Sequence, residues 1–182
     1  MRPRIVLAYS GGVTATAAIR WLIETGADVV AVTLDLGQRD NLVEVRDRAL
    51  AAGAIRCHVL DARDAFARHH VLPSLKAQAL ADGVYPMATT LGRPLIGEKL
   101  VDVARLEQAS TVAHGGSGRD RIRLDGPIHS LDAGLRVLAV AEDWGFSAQQ
   151  LAEYGDRHGI PGAAELGSTR TERTLWGHAT SY

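Results

Sequence analysis

The sequence predicts a doubly wound α/β domain, a mainly parallel five-stranded sheet with helices on both faces. Three observations carry this prediction. Short apolar runs alternate with segments of helical apolar spacing along most of the 182 residues. Glycine clusters, Ser10-Gly11-Gly12 and Gly115-Gly116-Ser117-Gly118, follow two of the strand-like runs. No repeat, low-complexity tract or internal linker divides the chain.

The elements follow in order. Ile5–Tyr9 is an apolar run that reads as a buried strand, and Thr14–Thr25 carries helical spacing at Ala18, Ile19, Leu22 and Ile23. Gly26 ends that helix, and Asp28–Leu34 is the second strand. Asn41–Ala52 is helical through Leu42, Val45 and Ala49, with Gly53 closing it as a C-cap does. Arg56–Asp61 is the third strand. Asp64–Ala81 reads as mostly helical, with Pro73 marking a start or a kink. Pro94–Gln108 is a long helix, Thr111–His114 the fourth strand and Leu135–Ala141 the fifth. Ser147 is placed to cap a helix over Ser147–His158. The polar stretch after Gly159 reads as loose up to Leu175-Trp176-Gly177.

Composition bounds the function. Apolar residues make up 46% and charged residues 23%, ordinary for a globular protein, and the net charge is −1. No basic stripe interleaved with aromatics suggests a nucleic-acid surface. Only Lys76 and Lys99 are lysines among 20 basic residues, a bias that reads as genome composition. The single Cys57 forms no internal disulfide, no run of membrane length is visible, and a cytoplasmic setting is expected.

The junction after the first strand is the most informative stretch. A strand, a Gly-rich turn and a helix in direct succession aim unpaired N–H groups at one spot, at the positive end of the helix dipole. Phosphate or pyrophosphate suits that spot. Gly11 and Gly12 permit close approach and positive φ, and the Ser10 hydroxyl adds a donor. Glycines that serve only the turn are the alternative, weakened by the position at a strand's carboxyl end.

Four more segments fall where such a sheet places a crevice. Asp35, in Thr33–Gln38, either lies against a nucleotide's base or ribose or caps a turn. Gly83–Pro94 gathers Tyr85, Thr89, Thr90 and Arg93 ahead of a helix, suiting a polar small molecule or supplying a helix cap. Ala113–Asp125 holds a Gly-rich turn and then alternating charges; Arg121 and Arg123 fit carboxylate or phosphate, or pair with the neighbouring aspartates. Trp176, in Glu172–Gly177, is expected to dock on its own domain or on a partner.

In this order these segments resemble argininosuccinate synthase, an AMP-forming ligase of the N-type ATP pyrophosphatase group. The marks are Leu-Ala-Tyr-Ser-Gly-Gly at 7–12, Asp-Leu-Gly-Gln at 35–38, Tyr85-Pro86 with Thr89-Thr90, and Arg-Pro-Leu-Ile at 93–96. Ala-His-Gly at 113–115, His-Gly-Ile-Pro at 158–161 and Leu-Trp-Gly at 175–177 complete the set. The resemblance runs from about Ile5 to Gly177. It implies an adenine nucleotide alpha hydrolase-like, Rossmann-like fold and a reaction that joins citrulline to aspartate. ATP adenylates the ureido oxygen, pyrophosphate leaves, and the aspartate amine displaces AMP.

The resemblance assigns roles residue by residue. Ala8, Tyr9, Ser10, Gly11, Gly12, Val13, Thr14, Ala15 and Thr16 would hold the ATP phosphates, with Leu34 and Gly115 also at the nucleotide. Tyr85, Thr90 and Arg123 match citrulline-holding positions; Ser117 and Asp120 match aspartate-holding ones. Ser10, Thr14 and Arg123 are the expected catalytic set. Mg2+ would assist the departing pyrophosphate, with Thr14 or Thr16 offering a hydroxyl, and its protein ligands are left unassigned. His114 is expected to support its loop, and His69 and His70 to lie in a helix.

This chain departs from the family at three places. The family's Ser-Gly-Gly-Leu-Asp-Thr-Ser is Ser-Gly-Gly-Val-Thr-Ala-Thr here, so Thr14 stands where the family has an acid. The family's Gly-Lys-Gly-Asn-Asp is shortened, and Gly118 leads straight to Arg119-Asp120, with Arg119 in the place of Asn. The sequence closes soon after Leu-Trp-Gly, so residues 1–165 are expected to form the nucleotide-binding domain and 166–182 a remnant of a second domain. A pocket left open in this way suggests closure by a partner subunit or by self-association through Leu175-Trp176. Two functional readings follow, an ATP-dependent AMP-forming ligase acting on a ureido, amide or carboxylate acceptor, and a non-catalytic adenine-nucleotide-binding module. A remnant that binds nothing is the third.

Overall fold

The computed structural model describes residues 2–163 and 170–181. Five parallel strands form one sheet: β1 (Arg4–Ala8), β2 (Asp28–Asp35), β3 (Arg56–Asp61), β4 (Thr111–His114) and β5 (Arg136–Ala139). Their order is β3-β2-β1-β4-β5, with Leu7 opposite Ala31 on one side and Ala113 on the other. The order reverses between β1 and β4, so the crevice of the doubly wound sheet opens beyond the carboxyl ends of those two strands.

Alternation along the buried strands sends side chains to two cores. Ile5, Leu7, Tyr9, Val29 and Ala31 meet α1 (Val13–Glu24) and α2 (Leu42–Ala51) on one face. Val6, Val30, Val32 and Val112 meet α3 (Arg63–Phe66), α5 (Gly92–Leu106) and α6 (Arg119–Leu131) on the other. A third cluster, Leu151, Tyr154 and Ile160, seats α8 (Ala148–Arg157) on Ala17 of α1. Ser147 and Gln150 cap α8 reciprocally, as the position of Ser147 implied.

Four local expectations need correction. The helix expected over Asp64–Ala81 runs as α3, a π-helical turn at Ala67–Val71 and α4 (Leu72–Lys76), and Gln78 at φ 50° lies beyond its end. Pro73 has no N–H for the carbonyl of His69, and the wider π turn just ahead relieves that crowding. Strand β5 stops at Ala139, where α7 (Val140–Asp143) begins. The charged stretch after Gly118 is the helix α6; it buries only Leu124 and Ile128, and Arg121–Asp125 and Asp120–Arg123 pair along its surface.

The last correction concerns the end of the chain. Residues 170–181 form an antiparallel hairpin, β6 (Arg170–Thr174) and β7 (Gly177–Ser181), joined by Leu175-Trp176. The expected domain boundary at 165–166 lies outside the described residues.

Candidate functional site

Helix α1 starts immediately after the glycines, with Gly12 as its N-cap and no side chain capping it. Among the described residues no hydrogen bond takes up the N–H groups of Ser10 through Ala15; the first amides engaged are Tyr9 to Val32 and Thr16 to Gly12. A twelve-residue helix whose first donors are unspent has the geometry that suits an anion. Gly11 adopts φ +78°, and a Cβ there would meet Val45 Cγ2 at 3.0 Å, so glycine is required on both counts. Arg48 of α2 donates from Nη1 to the Gly11 carbonyl and fixes the turn from behind.

Two cavities adjoin at this turn. The larger, about 890 Å³, is floored by Ala8, Tyr9, Ser10 and Gly12 to Ala15 and walled by Leu34, Gly115, Gly116, Ser117 and Asp120. The smaller, about 320 Å³, lies between Ser10-Gly11-Gly12 and the start of α2. Asp40 lines both. The positions expected to hold nucleotide thus converge on one cleft, apart from two. Gly11 faces the smaller cavity. Thr16 is buried and lines neither; Tyr9 Oη lies 3.0 Å from its hydroxyl, which donates to the Gly12 carbonyl at 2.9 Å. Thr16 therefore shapes the loop, and of the two threonines expected to offer a hydroxyl to a metal only Thr14 lines the cleft. Burial, the largest influence on Tyr9, pushes its phenol above the usual range, so it stays a neutral donor.

The end of the cleft around Asp120 is organised by ions. Arg93, whose side chain is 18% exposed, pairs with Asp120 at 2.9 Å and with Glu172 of the hairpin at 2.6 Å. Asp120 also accepts from Arg123 Nη1 at 3.0 Å. Burial raises the Asp120 carboxyl most, but Arg93 and Arg123 together outweigh it and hold it below the ordinary range. Of the expected acceptor-binding residues, Ser117 and Asp120 line the cleft. Tyr85, Thr90 and Arg123 stand one residue back. Tyr85 Oη lies 3.2 Å from the Thr89 hydroxyl, which does line it, and Arg123 reaches it through Asp120.

Sequence reasoning missed the hairpin wall. Thr171 to Thr174 line the cleft. Trp176 donates its indole N–H to the Pro86 carbonyl at 2.9 Å, and Leu175 N–H to the Leu36 carbonyl at 2.7 Å. Gly37, at φ +83°, leaves room for that strand; a Cβ there would sit 2.8 Å from Leu175 Cβ. Leu175-Trp176, expected to mediate self-association, is thus engaged by its own domain. The signal in the sequence was a threonine-rich stretch flanking Trp-Gly. Asp35 takes its turn-capping role, accepting the Gly37 N–H at 2.8 Å, while Gln38 folds back onto the Leu34 carbonyl. Asp40 and Gly162, also cleft-lining, carried no local signal.

Comparison with known proteins places this geometry in context. The arginosuccinate synthase N-terminal HUP domain matches residues 4–161. The argininosuccinate synthase of Geobacillus thermodenitrificans is 44% identical over 180 residues, covering 97% of this chain and 44% of that protein. That of Bacillus velezensis is 43% identical over 179 residues, covering 97% and 44%. The chain thus spans less than half the length of these relatives. The NMN synthetase of Francisella tularensis shares the fold, with a TM-score of 0.59 at 15% identity over 92% of this chain and 66% of that one. The chain belongs to the argininosuccinate synthase family.

Proposed function

We propose that this domain binds ATP and serves an AMP- and pyrophosphate-forming C–N ligase reaction of the argininosuccinate synthase type. The observation that carries the reading is the uncapped start of α1, with six unspent amides, those of Ser10 and Gly12 to Ala15 at the floor of the 890 Å³ cleft. Those donors suit the β- and γ-phosphates and hold pyrophosphate charge as it departs. Adenosine then runs toward Leu34 and Gly115, on either side of the sheet's reversal. The acceptor lies toward Ser117, Asp120 and Arg93, where two substrates can be aligned at adjacent strand ends.

Mg2+ fits as a passenger of the phosphates. Among the described residues no group of three His, Cys, Asp or Glu side chains converges, while Asp40 offers one carboxylate beside the loop and Thr14 a hydroxyl. One carboxylate plus substrate phosphates is the ordinary way this ion is held. When bound it would neutralise charge on the departing pyrophosphate.

Citrulline and aspartate are the acceptor and amine to test first, and closure of the acceptor end by a second subunit or further domain would protect an adenylate from water. A reducing, cytoplasmic setting fits the free Cys57. Calorimetry with ATP, followed by pyrophosphate release with citrulline and aspartate, tests the proposal. Saturable ATP binding with release that depends on both substrates supports it. Binding without release under any amine and acceptor leaves a nucleotide-binding module instead, and no binding sinks both.

A further inference from the structure

The loop after β4 is held by a side chain that does not belong to it. His114, the last residue of β4, is fully buried. Its Nδ1 lies 3.1 Å from the Gly116 N–H, which can only donate. Nδ1 therefore accepts, the ring proton sits on Nε2, and Nε2 donates to Asp125 Oδ1 at 2.6 Å. The other Asp125 oxygen accepts from Arg121 Nε at 3.2 Å, and Arg121 pairs in turn with Glu142 of α7. Glu142 returns to the loop, accepting the Gly118 N–H at 3.1 Å. The path closes on itself: Gly116, His114, Asp125, Arg121, Glu142, Gly118. Gly116 has no slack within it, since a Cβ there would meet Leu124 at 2.8 Å and His114 Nδ1 at 3.2 Å.

We infer that His114 is a positioning residue: through Asp125 and Arg121 it holds the Gly115–Ser117 wall in the shape that receives the nucleotide. The inference rests on the reading that this cleft takes ATP. It explains how a glycine-rich loop keeps one geometry. Two of its N–H groups are tied to side chains anchored on α6 and α7, and those of Gly115 and Ser117 have no hydrogen-bond partner among the described residues. The imidazole transmits order because each of its nitrogens has one assigned partner, and a ring with the opposite tautomer would lose the Gly116 bond.

Two amide substitutions separate the nitrogens. In His114→Asn the amide oxygen can replace Nδ1 and keep the Gly116 bond. In His114→Gln the amide NH2 can replace Nε2 and keep Asp125 while losing Gly116. Calorimetry with ATP and with inorganic tripolyphosphate reads the two walls apart, because tripolyphosphate needs only the Ser10–Ala15 amides. His114→Gln is expected to weaken ATP about 10-fold with tripolyphosphate unchanged, and His114→Asn, which keeps the Gly116 bond but cuts the path at Asp125, roughly 3-fold, as one hydrogen bond warrants. Arg121→Met, on the exposed part of the path, covers the case of a buried variant that does not fold. It is expected to weaken ATP roughly 3-fold at unchanged thermal midpoint. Equal ATP affinity in the wild type, Gln and Met proteins overturns the inference, as does a parallel fall in both probes. Absence of ATP binding by the wild type instead removes the nucleotide reading on which it rests.

Discussion

The Arg93 guanidinium binds the Glu172 carboxylate at 2.6 Å across 79 residues of sequence, joining the start of α5 to the hairpin. The same guanidinium holds Asp120 at the head of α6. One cation therefore ties three walls of the cleft together. Arg93→Met keeps the stem and removes the charge that the two partly buried carboxylates share, while Asp120 keeps Arg123. Unfolding in urea is expected to show a loss of about 1–3 kcal/mol, in the range for a half-buried pair that loses one member. Adding Glu172→Gln to Arg93→Met is expected to recover part of that loss. Unchanged stability in the single variant would mean that the bonds of Thr174, Leu175 and Trp176 hold the hairpin without Arg93.

Gly12→Asp separates binding from folding. Gly12 has an extended backbone, φ −76° and ψ 166°, and a Cβ there meets nothing nearer than Ser10 Oγ at 3.6 Å. Bulk is thus accommodated, and charge is what the substitution tests. Aspartate is also a favoured N-cap, worth about 1 kcal/mol to α1. The variant is expected to melt at or above the wild-type temperature and to lose ATP binding by roughly 100-fold or more, because a fixed anion takes the place meant for phosphate. A wild-type affinity would show that the amides of this loop hold no anion.

The sheet and the phosphate loop were legible because their signals are local. A strand buried on both faces is a continuous apolar run, and glycines after β1 and β4 mark the crevice. Helix α6 was not legible, since only Leu124 and Ile128 face the core and the charges of its first turns pair with one another. The hairpin was missed for a related reason. Its first strand is Arg, Thr and Glu, and what seats it are the Arg93–Glu172 pair and single bonds to Leu36, Pro86 and Ala88, far away in sequence. The hydroxyl of Thr16 read as free because only packing reveals that the Tyr9 phenol lies against it.

Glu107 supplies a dependence on pH remote from the cleft. At the end of α5 it is 3% exposed, and it receives Arg56 at 2.5 Å, His58 at 2.8 Å and Arg4 at 3.4 Å. Burial is the strongest influence and raises its carboxyl, but the bonds from His58 and Arg56 outweigh it and the group titrates below its ordinary 4.5. The stability this gives is present above pH 4.5 and is lost as pH falls through the lower folded value. Glu107→Gln is expected to cost about 1–2 kcal/mol at pH 7 and progressively less toward pH 3. Urea midpoints measured from pH 3 to 7 check this, and two parallel curves would contradict it.

Arg48 is the last residue whose role the geometry predicts. Gly11 is in the left-handed region, and its carbonyl points to α2, where Arg48 Nη1 binds it. Without that bond the peptide joining Gly11 to Gly12 can rotate, and the amides on either side of it lose their common aim. Arg48→Met preserves the aliphatic packing beside Val45 and removes the donor, whereas Arg48→Lys keeps a donor on a shorter, flexible stem. ATP affinity is expected to fall about 5-fold in the Met variant and less in the Lys variant. If Met and Lys fall equally, the planar guanidinium itself is what the carbonyl requires. If neither falls, Gly11 is held by its contact with Val45, and the loop keeps its shape without help from α2.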